Sequence, residues 1–233
     1  MTTDAARGSE LRVPLSRERV LQAAVKIADD GGIESLTMRR LAEHLGAEAM
    51  SLYHHVSNKE EVLDGIVELV MTEINDVVGR IDLPAEGADW KGAVRARILS
   101  ARQILLRHPW APRVFESRTT TSLAVLHYYD ALLGLMRAGG FSWDLAHHAM
   151  HALGSRALGF AQELFDPTGG DGDPDPAASM QGMADRLPNL VGMLMDVVHD
   201  DPDSTLGWCD DQAEFEFGID LLLDGLDRMR QRT

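Results

Sequence analysis

The stretch Leu36–Lys59, LTMRRLAEHLGAEAMSLYHHVSNK, constrains the fold more than any other part of the chain. Met38, Leu41 and Leu45 recur at the three- and four-residue spacing that lines one face of a helix. Thr37 stands before that face as an N-cap, and Gly46 follows it, where a residue free to take positive φ ends a helix. A second short helix brings Leu52 back into the same small core and leaves Ala49, Met50, Ser51, Tyr53, His54 and His55 pointing outward. Ser57-Asn58-Lys59-Glu60 then has the Ser-x-x-Glu form of a capping box opening the next helix. Two short helices joined by a glycine turn, the second studded with hydrogen-bonding groups, describe a helix-turn-helix. A Leu-x-x-x-Leu-Gly turn occurs in many helical bundles and alone does not specify DNA. Tyr53, His54, His55 and Lys59 add the missing chemistry. A phenol, imidazoles and an ammonium suit phosphate oxygens, and the new helix brings its N-terminal N–H groups to the same place.

The charge of the whole chain argues against a broad DNA-binding surface. Its net value of −15 is unevenly spread: residues 1–60 hold 8 Lys/Arg against 9 Asp/Glu, and the other 173 hold 14 against 28. A nearly neutral head on an acidic body predicts local contact by a few cations. The 233 residues suffice for one large or two small domains, of ordinary globular composition. A single cysteine, Cys209, excludes an intrachain disulfide and fits a reducing cytosol. No apolar run approaches the ~20 residues that cross a bilayer. Met1 to Pro14 is too polar for a signal peptide. The expectation is a cytoplasmic protein with no membrane partner.

Helical periodicity runs through nearly the whole chain, and no segment alternates like a strand. Residues 1–15 read as a flexible polar arm. Ser16 caps a first helix with the stripe Val20, Leu21, Ala24, Ile27 and Ala28, ending at Gly31-Gly32. A long fourth helix, from Asn58 to about Gly79, carries Leu63, Ile66, Val67, Val70, Ile74 and Val77. Pro84 to Trp90 is the boundary. Beyond it Val94, Ile98, Ala101 and Leu105 form a stripe that His108-Pro109-Trp110-Ala111-Pro112 breaks. Ser122–Ala138 carries Leu126, Tyr129, Leu133 and Met136, and Ser142–Phe165 carries Leu145, Ala149, Leu153, Ala157 and Leu164. Asp166 to Pro176 reads as a flexible acidic loop, followed by helices near Leu190–His199 and Gln212–Arg230. On the last of these Phe215, Ile219, Leu222, Leu226 and Met229 make a heptad-like seam, and Gly154, Ser155 and Gly159 would let another helix approach closely.

Leu45-Gly46, Leu52-Tyr53-His54-His55 and Lys59 followed by Val62-Leu63 resemble the DNA-binding domain of TetR-family transcriptional repressors, over roughly residues 16–80. Glu48 departs from the small hydroxyl residue that the family often places at the start of its recognition helix. Farther on, Pro84-x-Glu86-Gly87-x-x-Trp90, Gly140-Phe141-Ser142, Leu158-Gly159 and Phe215-Glu216-x-Gly218-Ile219-Asp220-Leu221 are similar to the C-terminal domain of the tetracycline-repressor subgroup. The resemblance implies an all-α protein. A three-helix helix-turn-helix head over residues 16–80 is joined by a long fourth helix to an effector-binding domain over 81–233, which forms a homodimer through its last two long helices. It implies a ligand-responsive repressor that holds a near-palindromic double-stranded DNA operator and is released by an unknown small-molecule effector.

Within that frame Arg39 and Arg40 on the supporting helix, and Ala49, Met50 and Ser51 on the recognition helix, are candidates for base edges. Tyr53, His55 and Lys59 are candidates for phosphate, and Thr37 and His54 for either. The effector candidates are Asn75, Arg97, Phe115, Tyr129, Leu132, His147, Met150 and His151. In tetracycline repressors a histidine just after the fifth helix holds the drug-bound magnesium. The corresponding stretch here, Ala111–Arg118, offers Val114 or Phe115, and Glu163 is a lone matching carboxylate. The expected effector is therefore not magnesium-tetracycline but an apolar or aromatic molecule with one anionic or hydrogen-bonding end.

Two other readings compete. His147 and His151, four apart, share a helix face at a spacing that zinc sites use, and with His127 and His148 they admit a histidine-metal enzyme. Neither a third ligand, a nucleophile elbow nor a phosphate-cradling glycine loop accompanies them. A helical ligand-binding adaptor with a vestigial head would bind small molecules and no DNA. The expectation adopted is a regulator that is not an enzyme, with no metal and no cofactor.

Overall fold

The computed structural model describes residues 14–81, 89–119, 121–158, 184–196 and 211–232. The polar arm up to residue 13, the acidic loop, Gly159, Glu163 and Cys209 lie outside them. Every regular element among the described residues is helical, and none of these helices is long and apolar enough to cross a membrane. The chain divides into two compact units, one reaching Gly139 and the other starting at Gly140.

The first unit holds α1 (Arg17–Gly31), α2 (Met38–Leu45), α3 (Ala49–Leu52), α4 (Lys59–Val78), α5 (Trp90–Arg107), α6 (Ala111–Ser117) and α7 (Leu123–Ala138), with a single 3-10 turn at Ile33–Ser35. Ser16 caps α1 by accepting the Arg19 N–H, and the helix buries the expected stripe from Val20 to Ala28. α2 opens on Thr37, whose hydroxyl oxygen accepts the Arg40 N–H at 3.1 Å, and closes on Gly46. Gly46 has φ 61° and ψ 34°, the left-handed conformation that any side chain would strain. Leu41, Leu52 and Val56 are fully buried and hold the two short helices together.

α4 begins one residue later than the expected capping box. Asn58 Oδ1 accepts the Glu61 N–H at 2.8 Å, and Glu61 Oε2 accepts the Ser57 N–H at 2.7 Å, so Asn58 and Glu61 replace Ser57 and Glu60. Asn caps as well as Ser, so the phase is decided by the core, which needs Val62, Leu63, Ile66, Val67 and Val70 on one side. α4 crosses α1 at Gly65, where a Cβ would stand 2.5 Å from Leu21 Cδ2. At the far end Val78 is buried and Val77 only partly so.

α4 packs on α1, α5, α6 and α7, and one apolar cluster runs from Val20 on α1 to Val114 on α6. The expected break after α5 contains α6, with Trp110 at its start and Pro112 in its first turn, where a missing N–H costs nothing. α7 is rotated from expectation. Leu132, Leu135 and Met136 are buried, Leu126 is 51% exposed, and Tyr129 and Leu133 are half-buried. The helix carries apolar residues almost all round, so periodicity could not choose the side that α4 and α5 take.

The second unit holds α8 (Trp143–Leu158), α9 (Pro188–Asp196) and α10 (Asp211–Arg230). α8 packs on α10. It buries Ala146, Ala149 and Leu153, while α10 buries Phe215, Ile219, Leu223 and Leu226. The Arg156 guanidinium lies 4.9 Å from the centre of the Phe215 ring. The seam expected to face a partner is therefore largely turned into its own unit, with Leu223 in place of Leu222 and with Met229 exposed. What α10 leaves open is Phe217, 67% exposed, and Leu221, 58% exposed. A helix apolar on two sides gives no local sign of which side its neighbour covers.

Candidate nucleic-acid interface

The helix-turn-helix presents α3 by anchoring it at one residue. Leu52 is buried, and around it Ala49, Met50, Tyr53 and His54 are exposed while Ser51 and His55 are half-buried. Met50 is 72% exposed, an apolar side chain left in water at the tip of a one-turn helix. Glu48 precedes α3 in extended conformation and makes no capping bond. On α2, Arg39 donates from Nε to Glu43 Oε1 at 2.9 Å, whereas Arg40 forms no ion pair among the described residues. The Thr37 hydroxyl oxygen is occupied by its cap, which leaves the hydroxyl hydrogen to donate elsewhere.

Lys59 is the first residue of α4, half-buried and without an ion pair among the described residues. The carboxylates beside it are held elsewhere. Glu60 takes Arg118 Nη1 at 2.7 Å; Glu61 takes the Ser57 N–H and lies 3.5 Å from Arg17 Nε. The Ser57 N–H, followed by Arg17, holds the Glu61 carboxyl below the usual range. A free ammonium at a helix N-terminus whose acids are already engaged can donate to a phosphate oxygen.

A set of contacts invisible to periodicity fastens α6 to this head. His108, at the end of α5, is buried with Nδ1 2.7 Å from Asp29 Oδ1 on α1 and Nε2 3.3 Å from Glu73 Oε2 on α4. Trp110 Nε1 donates to the same Asp29 oxygen at 2.7 Å. Arg113 lies 3.3 Å from Glu34, and Arg118 also reaches Asp64 at 3.4 Å. The run His108-Pro109-Trp110 marks the place in the sequence, but nothing local names its partners.

The effector candidates of the first unit are spread over four helices. Arg97 on α5 is buried; its Nη1 donates to the Val78 carbonyl at 3.2 Å and its Nε has no partner. Asn75 donates from Nδ2 to the Ala124 carbonyl at 2.8 Å, joining α4 to α7. Leu132 is buried, Tyr129 half-buried, and Phe115 on α6 packs against the first unit's core. Tyr128, rather than the Tyr129 of the sequence pattern, is the phenol coupled electrostatically to Arg97. Burial pushes that phenol up to about 12. Val114, one of the two residues at the place of the magnesium-holding histidine, is buried in the same core. In the second unit the His147 and His151 rings are 4.7 Å apart, both exposed, with Met150 half-buried. No group of three or more metal-capable side chains occurs among the described residues.

Known proteins bear on this arrangement. Residues 20–66 match the family described as bacterial regulatory proteins, tetR family, and residues 83–230 match the tetracyclin repressor-like C-terminal domain. The chain is 30% identical, over 94% of each sequence, to the tetracycline repressor protein class C of Escherichia coli. It is similar to the crystal structure of a possible TetR family transcriptional regulator from Streptomyces coelicolor A3(2), with TM-score 0.71 and 29% identity, covering 92% of this chain and 100% of that one. It is also similar to the Streptomyces coelicolor TetR family protein ActR in complex with actinorhodin, with TM-score 0.68 and 25% identity, covering 94% of this chain and 99% of that one.

Proposed function

The chain belongs to the tetR family of bacterial regulatory proteins, a ligand-responsive transcriptional repressor rather than an enzyme, and we propose that it works as a homodimer on a near-palindromic operator. Residues 16–80 contact DNA and residues 81–233 bind the effector and pair the subunits. Its place of work is the cytoplasm, where the operator is.

The single observation that carries the DNA part of this reading is α3. A one-turn helix anchored by Leu52 presents Ala49, Met50, Tyr53 and His54 to solvent, next to an unpaired Lys59. Ala49, Met50 and Ser51 meet base edges with Arg40, and Tyr53, His55 and Lys59 hold phosphate. Thr37 and His54 assist at either. Arg39, already paired with Glu43, must exchange that partner for DNA. Selecting bound duplexes from a random pool with the purified protein tests this. The expected product is a near-palindrome whose half-sites lie ~34 Å apart or a multiple of it. A pool that stays random would remove the reading.

For the effector, the candidates of the first unit are Phe115 and Leu132 for apolar contact and Asn75, Arg97 and Tyr129 for polar contact; those of the second unit are Met150, His147 and His151. ActR was captured with actinorhodin, an example of a small-molecule ligand in a relative. Magnesium-tetracycline is not expected to bind usefully here. Val114 and Phe115 give no imidazole at the place of the metal ligand, and His108 is committed to Asp29 and Glu73. Calorimetry with tetracycline and magnesium checks this, and micromolar or tighter magnesium-dependent binding would contradict it.

A further inference from the structure

Only two polar or charged residues are buried among the described residues, Arg97 and His108. They are treated oppositely. His108 has a carboxylate at each ring nitrogen. Arg97, 5% exposed, has a single bond to the Val78 carbonyl, no acceptor at Nε and no carboxylate partner among the described residues.

A guanidinium stays protonated in proteins and carries five donors in a fixed planar fork. Removing its charge from water without a counter-charge is expensive. Burial pushes Arg97 down from its ordinary value, the desolvation outweighing what Tyr128 restores. The carbonyl end of α4 offsets it in part, since a helix C-terminus supplies only about half a negative charge. The helices that pack there, α4, α5 and α7, otherwise bury apolar side chains such as Val78, Val94, Ile98, Leu132 and Met136. A site that leaves its one cation short of a counter-charge is built for a charge supplied from outside.

We propose that Arg97 forms an anion-binding subsite, so that the effector of the repressor carries a carboxylate on an apolar body. The proposal rests on the effector-binding reading above and names its ligand class. The two oxygens of a carboxylate match adjacent guanidinium donors.

Calorimetry on the full chain with 2-naphthoate and its neutral isostere 2-naphthamide tests it. Wild-type protein is expected to bind the carboxylate at least tenfold more tightly than the amide. Arg97→Met abolishes that preference. The melting temperature of Arg97→Met should equal or exceed that of wild type, because an unpaired buried charge has been removed; an arginine kept only to fasten Val78 would leave a less stable protein. Equal affinity for the two probes, binding of neither, a preference that survives Arg97→Met, or a lower melting temperature would each overturn the subsite. Operator binding by the same wild-type preparation separates the two failures. If DNA is bound and the carboxylate is not preferred, the subsite alone is wrong; if no DNA is bound, the repressor reading falls first.

Discussion

Lys59 and Ser51 sit eight positions apart and should behave differently on DNA. Lys59 is an unpaired ammonium at the head of α4, and Ser51 is half-buried on α3. Lys59→Ala should weaken binding to all sequences alike and lower the salt dependence by about one counterion. Ser51→Ala should change the preference at one position of each half-site, by ~1–3 kcal/mol. Identical losses across a panel of variant operators would refute the division of roles. Glu61 predicts a pH effect. Its carboxyl is held below the ordinary range by the Ser57 N–H and then Arg17, so its contribution is present above the unfolded-state value and fades as pH falls through the lower folded one. Melting curves of wild type and Glu61→Gln should therefore differ at pH 7 and converge in acid. The residues legible in advance, Thr37, Gly46 and Leu52, are those governed by rules acting within four positions. The cap of α4 stands one residue beyond the Ser57 that the sequence predicts, because Ser57 and Asn58 are both good caps and the distant core chooses between them. Periodicity cannot choose between Tyr128 and Tyr129 because α7 is apolar on nearly every side.

The corner between α5 and α6 reads in the sequence as an interruption and is a fastening in the fold. His108 and Trp110 share one Asp29 oxygen, 79 and 81 positions away in the chain. Arg118 reaches Glu60 and Asp64 from the far end of α6. Spacing cannot reveal contacts between such distant positions, and proline beside histidine correctly reads as the end of a helix. His108→Ala leaves two carboxylates without their common partner. Since both still reach water, the expected loss is about 1–3 kcal/mol, as for an unmade hydrogen bond to a charged group. Arg113→Ala breaks an ion pair that is almost entirely in water, and should change stability by less than about 1 kcal/mol. Urea unfolding of both variants decides, and equal midpoints would show that His108 does not fasten α6.

At the scale of the whole molecule the question is which surface would pair two copies in the proposed dimer. The heptad reading chose Phe215, Ile219, Leu222, Leu226 and Met229, yet three of these are buried within the second unit. The all-helical class was legible from periodicity, but the choice between two apolar sides of α10 depends on where α8 packs. The side left open carries Phe217 and Leu221, one turn apart. Two large exposed apolar residues on a helix face that no other described residue covers are what a two-fold partner would bury. A single head would read too few base pairs for useful specificity, so pairing and operator choice should fail together. Leu221→Asp is expected to sediment as a folded monomer at micromolar concentration, with unchanged helical content and at least a hundredfold weaker operator binding. Leu223→Asp places a charge in the buried face of α10 and should instead unfold the second unit. If Leu221→Asp and Phe217→Asp both remain dimers, this face of α10 is not the interface.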